Sequence, residues 1–455
     1  MKPTPPRRLT LLLTGVTILL ALGCGSAEDR QTSMVLITLD TLRADHLGCY
    51  GYDRARTPHL DAFAGEARRY DNAYSTINTT LASHAAMMTG RHPQNLGIPR
   101  NSFPLAPGIP TLAEILASRG YRTAAFVSCS ALTSGMGLAR GFGRYDQEFG
   151  ISATDQDQRR AGATTAAALE WLRKNREGPF FLWVHYFDPH FPYDPPAPFA
   201  TIYGSGYQGS ADGSMAYLER LWQNEINPTP ADLGRLVDLY DGEIAYLDHS
   251  LGPLLDELKS SDLKDALVAI TADHGEHLTE RRLKFYHGNY VYQPSIRVPL
   301  IIRFPGTGVR AGTVLETVQT LDLFSTLLAA AGITAGGETE GRDLAQPQAP
   351  RVAYAEASRP WNVEDLNPGQ YQNLSKAAMV VQYPWKLVVT PWRREVELYN
   401  LEQDPAERTN LAARETGRAR NLHRLMSEWR EGAGPRASTP NQDNLQRLEA
   451  LGYVQ

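Results

Sequence analysis

The feature that most constrains the fold is an alternation that starts at Met34: short, almost wholly apolar runs separated by helical segments. Residues 34–39 form such a run, and they are followed by a helix at 111–119 that stops at Gly120. A strand at 123–128, a helix at 164–175 and a strand at 179–185 come next. The series closes with a long helix near 230–259, strands at 266–271 and 298–303, and a helix at 321–331. Strands without polar alternation are buried on both faces. Together with the intervening helices they predict an α/β fold, with a large, mostly parallel or mixed sheet sandwiched by helices. Between residues 334 and 351 Gly, Gln and Pro cluster, and the pattern changes. Period-two strands at 378–381, 386–389 and 395–399, then a helical stretch at 405–429, predict a small antiparallel sheet plus helix packed on the first unit. The expected organisation is a large α/β domain over 33–334 and a C-terminal subdomain and tail over 351–455.

With 455 residues, 42% of them hydrophobic, the chain can bury a large core. A net charge of −5 gives no basic field, so nucleic acid is not an expected partner. Residues 1–23 stand outside the fold. A basic, Pro-rich start precedes an apolar stretch at 9–22, too short for a membrane span of roughly 20 residues and suited to a signal peptide. Ala21-Leu22-Gly23-Cys24 resembles a bacterial lipobox, with Cys24 as the lipidated mature N-terminus. The alternatives are a plain secretory signal and an uncleaved anchor. The expectation is export to the periplasm or cell envelope, with membrane attachment through the lipid. Cys49 and Cys129 then remain and read as buried free thiols.

In open α/β sheets the ligand site lies beyond the carboxyl ends of the strands. Two strands here run into acids at that point: residues 34–39 into Asp40, and 266–271 into Asp273-His274-Gly275-Glu276. An adjacent carboxylate and imidazole suit a divalent cation, and Gly275 lets the backbone turn beside it. A third segment, Thr80-Leu-Ala-Ser-His84-Ala-Ala-Met-Met-Thr89-Gly90, sets Thr80 at a helix start, where backbone N–H groups and the dipole favour an anion. The acids Asp238, Asp241, Glu243 and Asp248 of the long helix read as a solvated or capping face, and Trp183, Tyr186 and Phe187 as packing.

Taken together, LITLDTLRADHLGCYGY (36–52), NAYSTINTTLASHAAMMTGRHP (72–93), WVHYFDPHFPY (183–193), TADHGEHL (271–278), SIRVPLIIRFPG (295–306) and ELYNLEQDPAERTNLA (397–412) resemble the sulfatase family of the alkaline-phosphatase superfamily, in the family's order. The family nucleophile is Cys or Ser, nine residues before the Thr-Gly that closes the helix. Counting back from Thr89 gives Thr80, with Ala82 in place of Pro and His84 in place of Arg. The resemblance implies a hydrolase of anionic sulfate or phosphate esters that uses one divalent ion (Ca, Mg, Mn or Zn), held by Asp40, Thr80, Asp273 and His274. Sulfatases convert their Cys or Ser to formylglycine, whereas a Thr alkoxide resembles the nucleophile of related phosphodiesterases, so the mechanism leans to phosphodiester or phosphonate esters. The family's second Asp after the first strand is here Thr41. The resemblance further implies that His190 contacts the ester oxygens, that His287 is a general acid near pH 7, and that His84 fixes Thr80 or touches substrate. Lys284 competes with His287 at the leaving group, and Asn101 with Arg100 lines the rim. The expected substrate is a small anionic ester, a glycan or a lipid head-group. The other readings are an inactive glycan-binding scaffold and a phospho-head-group transferase.

Overall fold

The computed structural model describes residues 1, 31–151, 157–204, 206–280, 284–304, 306, 308–337, 339–347, 349–358 and 376–432. Cys24 and the leader lie outside them. Eight strands form the large sheet: β1 Met34–Leu39, β2 Arg68–Tyr74, β3 Arg122–Phe126, β4 Arg144–Asp146, β5 Phe180–Tyr186, β6 Leu267–Ala272, β7 Leu300–Arg303 and β8 Gly312–Gln319. Their order across the sheet is β8-β2-β7-β6-β1-β5-β3-β4. All neighbours are parallel except β7, which runs antiparallel to both β2 and β6. Every residue of the central strands β1, β5 and β6 is buried, which is why they read as continuous apolar runs. β8, at the sheet edge, and β2 beside it were not legible because they carry polar residues such as Arg68, Arg69, Asp71 and Glu316.

Helices α1 Pro58–Gly65, α2 Thr80–Thr89, α3 Leu112–Ser118, α4 Ala161–Lys174, α5 Met215–Trp222, α6 Pro230–Glu257 and α7 Asp322–Ala330 belong with this sheet. α3 begins in a reciprocal capping box, Thr111 with Glu114, and α6 in another, Thr229 with Asp232. The small sheet is an antiparallel meander of β9 Ala353–Glu356, β10 Ala378–Gln382, β11 Trp385–Thr390 and β12 Glu395–Asn400. Its period-two pattern sorts side chains to two faces. Ala378, Val380, Leu387 and Leu398 pack on Leu422 and Met426 of α8 Thr416–Glu431. Met379, Val381 and Val388 pack with Tyr74, Tyr290 and Tyr292 of the large unit. The helix expected from residue 405 starts only at Thr416, because the segment before it turns through Asp404, whose carboxylate accepts from Thr409 N–H.

The acids of α6 do not form a solvated face. Asp241, Glu243 and Asp248 are each at most 2% exposed. Asp248 does cap, accepting the His59 and Leu60 N–H groups at the start of α1. Asp241 instead takes His46 and Tyr52 at 2.6 and 2.7 Å, and Glu243 takes Asp194 N–H and Arg160. Cys129 is a buried free thiol and Cys49 a half-buried one.

Candidate active site

Parallel register builds the centre of the site. β1 pairs with β6 so that Leu39 faces Ala272, and the next residues, Asp40 and Asp273, leave the sheet at the same level. Both are fully buried. Thr41, directly after Asp40, has φ 55, a left-handed conformation costly for a β-branched residue. That turn lets Thr41 N–H donate to Asp273 Oδ1 at 3.2 Å, while Tyr240 O–H holds Thr41 O at 2.9 Å. His274 N–H donates to the same Asp273 oxygen at 2.7 Å. Gly275 matters for space: a Cβ there would stand 2.1 Å from Pro294 O.

His274 Nδ1–H donates to Gly275 O at 2.9 Å, which leaves the lone pair on Nε2. That nitrogen lies 3.5 Å from Asp273 Oδ2 and 4.0 Å from Asp40 Oδ1. Asp40 Oδ1, Asp273 Oδ2 and His274 Nε2 are buried and make no hydrogen bond. One ligand atom from each of these residues lies within 4.8 Å of the others. Burial raises the Asp40 pKa to about 7 and raises that of Asp273, the latter also through the Asp40 charge. Two acids and an imidazole with converging lone pairs and no donor are the complement of a divalent cation, which would reverse that penalty. The donor set therefore fits the expected ion.

The buried helix α2 brings Thr80 to this point. Thr80 Oγ1 lies 3.5 Å from Asp40 Oδ2 and directs its proton toward it. Ser83 Oγ donates to Asp273 O at 2.7 Å, which ties the first turn to the end of β6. Gly90, at φ 69, closes the helix with its N–H on Ala86 O.

For His84 the structure selects between the two expected tasks, and for Asn101 the expectation changes. His84 does not face substrate. Its Nδ1–H donates to Thr80 O at 2.7 Å, so Nε2 accepts from Thr38 Oγ1 at 2.9 Å, and Thr38 in turn accepts from Trp183 Nε1. Burial holds the ring neutral, with its pKa near 3. His84 therefore positions Thr80. Asn101 is not on a rim either: it is 3% exposed, and its Oδ1 accepts Leu81 N–H at 2.8 Å. It stands in for the N-cap that Thr79 does not provide, so one N–H assigned to an anion is already bonded. Arg100 is also buried, with its guanidinium 5.8 Å from the Phe103 ring.

Past β5 comes His190 and past β6 His287; their rings lie 5.1 Å apart, with His287 4.5 Å from His274. His190 Nδ1–H donates to Phe191 O at 2.6 Å, and burial lowers its pKa to about 3. A neutral His190 offers a lone pair, not a donor, at Nε2. His287 Nδ1 lies 3.4 Å from Glu276 Oε1, and Tyr193 O–H donates to Glu276 Oε2 at 2.7 Å. Burial raises Glu276 to about 8, so at neutral pH it is largely the neutral acid. Lys284 does not join these residues. It lines a cavity with Tyr290, Tyr292 and Arg393 that has none of Asp40, Thr80, Asp273, His274 or His287 among its described lining.

Two residues were missed. Glu276 was quoted in its motif without a role. His185 ended a predicted strand but was not placed at the site. Ser128 N–H donates to His185 Nδ1 at 3.3 Å, so Nε2 carries the hydrogen, and it faces Asp40 Oδ2 at 3.4 Å. The hint lay in the strand-end rule, since the β1–β5 register sets Thr38 opposite His185.

Residues 32–333 match the family model Sulfatase, and residues 281–431 match N-sulphoglucosamine sulphohydrolase, C-terminal. The chain is 27% identical over 407 residues to the ulvan-active sulfatase of Formosa agariphila, across 79% of this chain and 73% of that protein. It is 26% identical over 442 residues to the choline-sulfatase of Rhizobium meliloti, across 85% and 83% of the two chains. The crystal structure of the phosphonate monoester hydrolase of Agrobacterium radiobacter has the same fold, with a TM-score of 0.69 at 22% identity over 88% of this chain and 95% of that one.

Proposed function

The chain belongs to the sulfatase family of ester-bond hydrolases, and on that premise we propose that it cleaves anionic sulfate or phosphate esters with Thr80 as the attacking residue. The observation that carries this reading is the placement of Thr80 Oγ1 against Asp40, beside three buried ligand atoms that have no protein donor. Asp40, Asp273, His274 and Thr80 would hold a divalent ion, which when bound favours the Thr80 alkoxide and offsets ester charge.

Thr80 Oγ1 gives its proton to Asp40 Oδ2 and attacks the central phosphorus or sulfur. Its new bond forms as the bond to the leaving oxygen breaks, and His287 gives that oxygen a proton. Glu276, 3.4 Å behind His287 and held by Tyr193, keeps the ring aimed. Water then attacks the Thr80 ester and gives a proton back to His287, the bond to Oγ1 breaks, and Thr80 takes its hydrogen back from Asp40. His84 and Asn101 contribute by fixing the first turn of α2. Since Thr80 lacks the Cys or Ser that formylglycine needs, phosphodiesters and phosphonate monoesters are the preferred substrates in this reading. The phosphonate hydrolase fold supports that preference, while relatives named for ulvan and choline keep a sulfated glycan or small sulfate ester within the proposed range. With its leader and Cys24, the enzyme is proposed to work in the cell envelope on a lipid anchor.

The test is to assay metal-loaded protein on p-nitrophenyl sulfate, bis-p-nitrophenyl phosphate and a phosphonate monoester, with Thr80→Ala alongside. The diester and phosphonate should turn over faster than the sulfate, and mass spectrometry of a quenched reaction should find phosphate on Thr80. Sulfate turnover with the diester untouched would sink the phosphoryl preference. Full activity in Thr80→Ala would remove Thr80 as nucleophile.

A further inference from the structure

At the edge of the large sheet opposite the active site lies a basic groove, and the chain enters the fold beside it. We propose that this edge is a docking surface for an anionic phospholipid bilayer, and that docking turns the active site away from that bilayer. The inference rests on the lipid-anchor reading of Cys24 and adds the orientation that an anchor alone does not set.

Parallel strands give the sheet two unlike edges. β1, β3, β4 and β5 begin on one, whereas Asp40 and Asp273 follow strand ends on the other. The six residues of β1 set these edges about 20 Å apart. At the edge where the strands begin, Gln31 Nε2 donates to Arg119 O at 3.4 Å, and Tyr121 O–H donates to Thr32 O at 3.2 Å. Those bonds fix the point at which the chain joins the fold. Cys24 stands seven residues before Gln31, and seven residues span at most about 25 Å. A lipid on Cys24 therefore keeps this edge within that distance of the bilayer, but leaves the body free to tumble on its tether.

The groove supplies a second hold. It encloses about 540 Å³, its walls include Arg122, Arg144, Phe142 and Trp171, and no acid is among its described lining. Arg119, exposed like Arg122 and Arg144, stands between the lining residues Ala117 and Tyr121. Neighbouring acids do not cancel these charges. Asp146 pairs with Arg144 at 2.7 Å and also with the buried Arg159 at 2.6 Å, so one carboxylate faces two cations. Glu170 is held by Lys174 at 2.6 Å. Arg119 and Arg122 have no ion pair among the described residues, and Arg122 reaches a backbone carbonyl, Asn175 O, at 3.2 Å. This local excess of positive charge stands on a chain whose net charge is −5. An anionic bilayer attracts each such arginine, and the half-buried rings of Phe142 and Trp171 suit the head-group region. Three charges are a small force for a free protein. On a tethered one docking is intramolecular, so the high effective lipid concentration makes them sufficient. With this edge on the head groups, the strand ends that carry Asp40 and Asp273 face water, and the ester they receive comes from the aqueous phase.

The experiment follows amide hydrogen exchange of the processed, lipidated protein in vesicles of phosphatidylcholine, with and without phosphatidylglycerol. Exchange over residues 117–123 and 143–145 should slow about tenfold or more in the anionic vesicles alone, and high salt should abolish the difference. The triple variant Arg119→Gln, Arg122→Gln, Arg144→Gln should lose the slowing while its turnover of a soluble ester in detergent matches the parent's. Arg119→Gln alone, at an exposed helix end, should give back about fivefold. Equal exchange in both vesicles, or slowing that the triple variant keeps, overturns the docking surface. So does faster turnover of an ester carried on a vesicle lipid than of the same ester in solution. Mass spectrometry separates the two readings. A chain without lipid on Cys24 loses the anchor and the docking with it, whereas a lipidated chain without the slowing keeps the anchor and loses the surface. Thr80-dependent turnover is measured apart from both.

Discussion

Two groups of buried acids lie in this molecule, and the difference between them separates a site from a scaffold. Asp241, Glu243 and Asp248 on α6 are almost fully enclosed, and each accepts hydrogen bonds from named donors: His46 and Tyr52, Asp194 N–H and Arg160, or the first N–H groups of α1. Asp40 and Asp273 are equally enclosed, yet Asp40 Oδ1 and Asp273 Oδ2 accept nothing and point at the lone pair of His274. Burial alone therefore does not mark function. Acceptor capacity left over inside the protein does, because such atoms are costly unless something that binds later satisfies them.

The largest expected effect is on the unsatisfied pair. Asp273→Asn, which keeps the Oδ1 acceptor for Thr41 and His274 N–H, should lower ester turnover by at least about 10³-fold, roughly 4 kcal/mol of barrier, without lowering the thermal stability of the metal-free protein. A large stability loss there would erase the distinction, since Asp273 would then be structural. Asp241→Ala should do the opposite. Stripping His46 and Tyr52 of their acceptor should cost about 2–4 kcal/mol in denaturant unfolding, with metal affinity nearly unchanged.

Third, metal at about 100 times its Kd should add about 2.7 kcal/mol to stability, and a chelator should remove it. The same chelator should leave the unfolding of Asp273→Asn unmoved; an equal shift in both proteins would mean that the metal binds elsewhere. The smallest effect concerns a satisfied acid away from both groups. Burial raises the pKa of Glu340, but hydrogen bonds and charge from His92, with Asn95, outweigh it and hold the group at about 2. Its folded value is depressed, so its contribution is full above the ordinary value of 4.5 and is lost as pH falls toward 2. With the side chain 30% exposed, solvent screening limits this, and Glu340→Gln should cost about 1–2 kcal/mol at pH 7 and almost nothing near pH 2. Urea unfolding across that range measures it.

Much of this was legible in the chain. The central strands were placed within a residue or two, because burial on both faces leaves an uninterrupted apolar run. Asp40, Asp273 and His274 were legible as a group because paired parallel strands that end at one level bring the residues after them together. β8 at the sheet edge and β2 beside it were not, since partly exposed strands carry charges that break the run. His84 and Asn101 were placed near Thr80; for His84 the two tasks, fixing Thr80 or touching substrate, were left open, and Asn101 was given the wrong one. A side chain's type says what it can bond, and its partner is chosen by elements far off in sequence: Thr38 for His84, the first turn of α2 for Asn101. Asp241 and Glu243 were read, with the other acids of α6, as a solvated or capping face for the same reason.

The order of strands and helices, the acids at two strand ends and a Thr where the family carries Cys or Ser were set by sequence, because each is local or a matter of fixed spacing. Tertiary structure alone decided that Asp40 and Asp273 share a level, that Thr41 turns left-handed to bridge them, that His185 backs Asp40 and Glu276 backs His287, and that Lys284 faces a different cavity. Those outcomes depend on parallel register and on which donors are already taken, and both are set by packing between segments up to some two hundred residues apart.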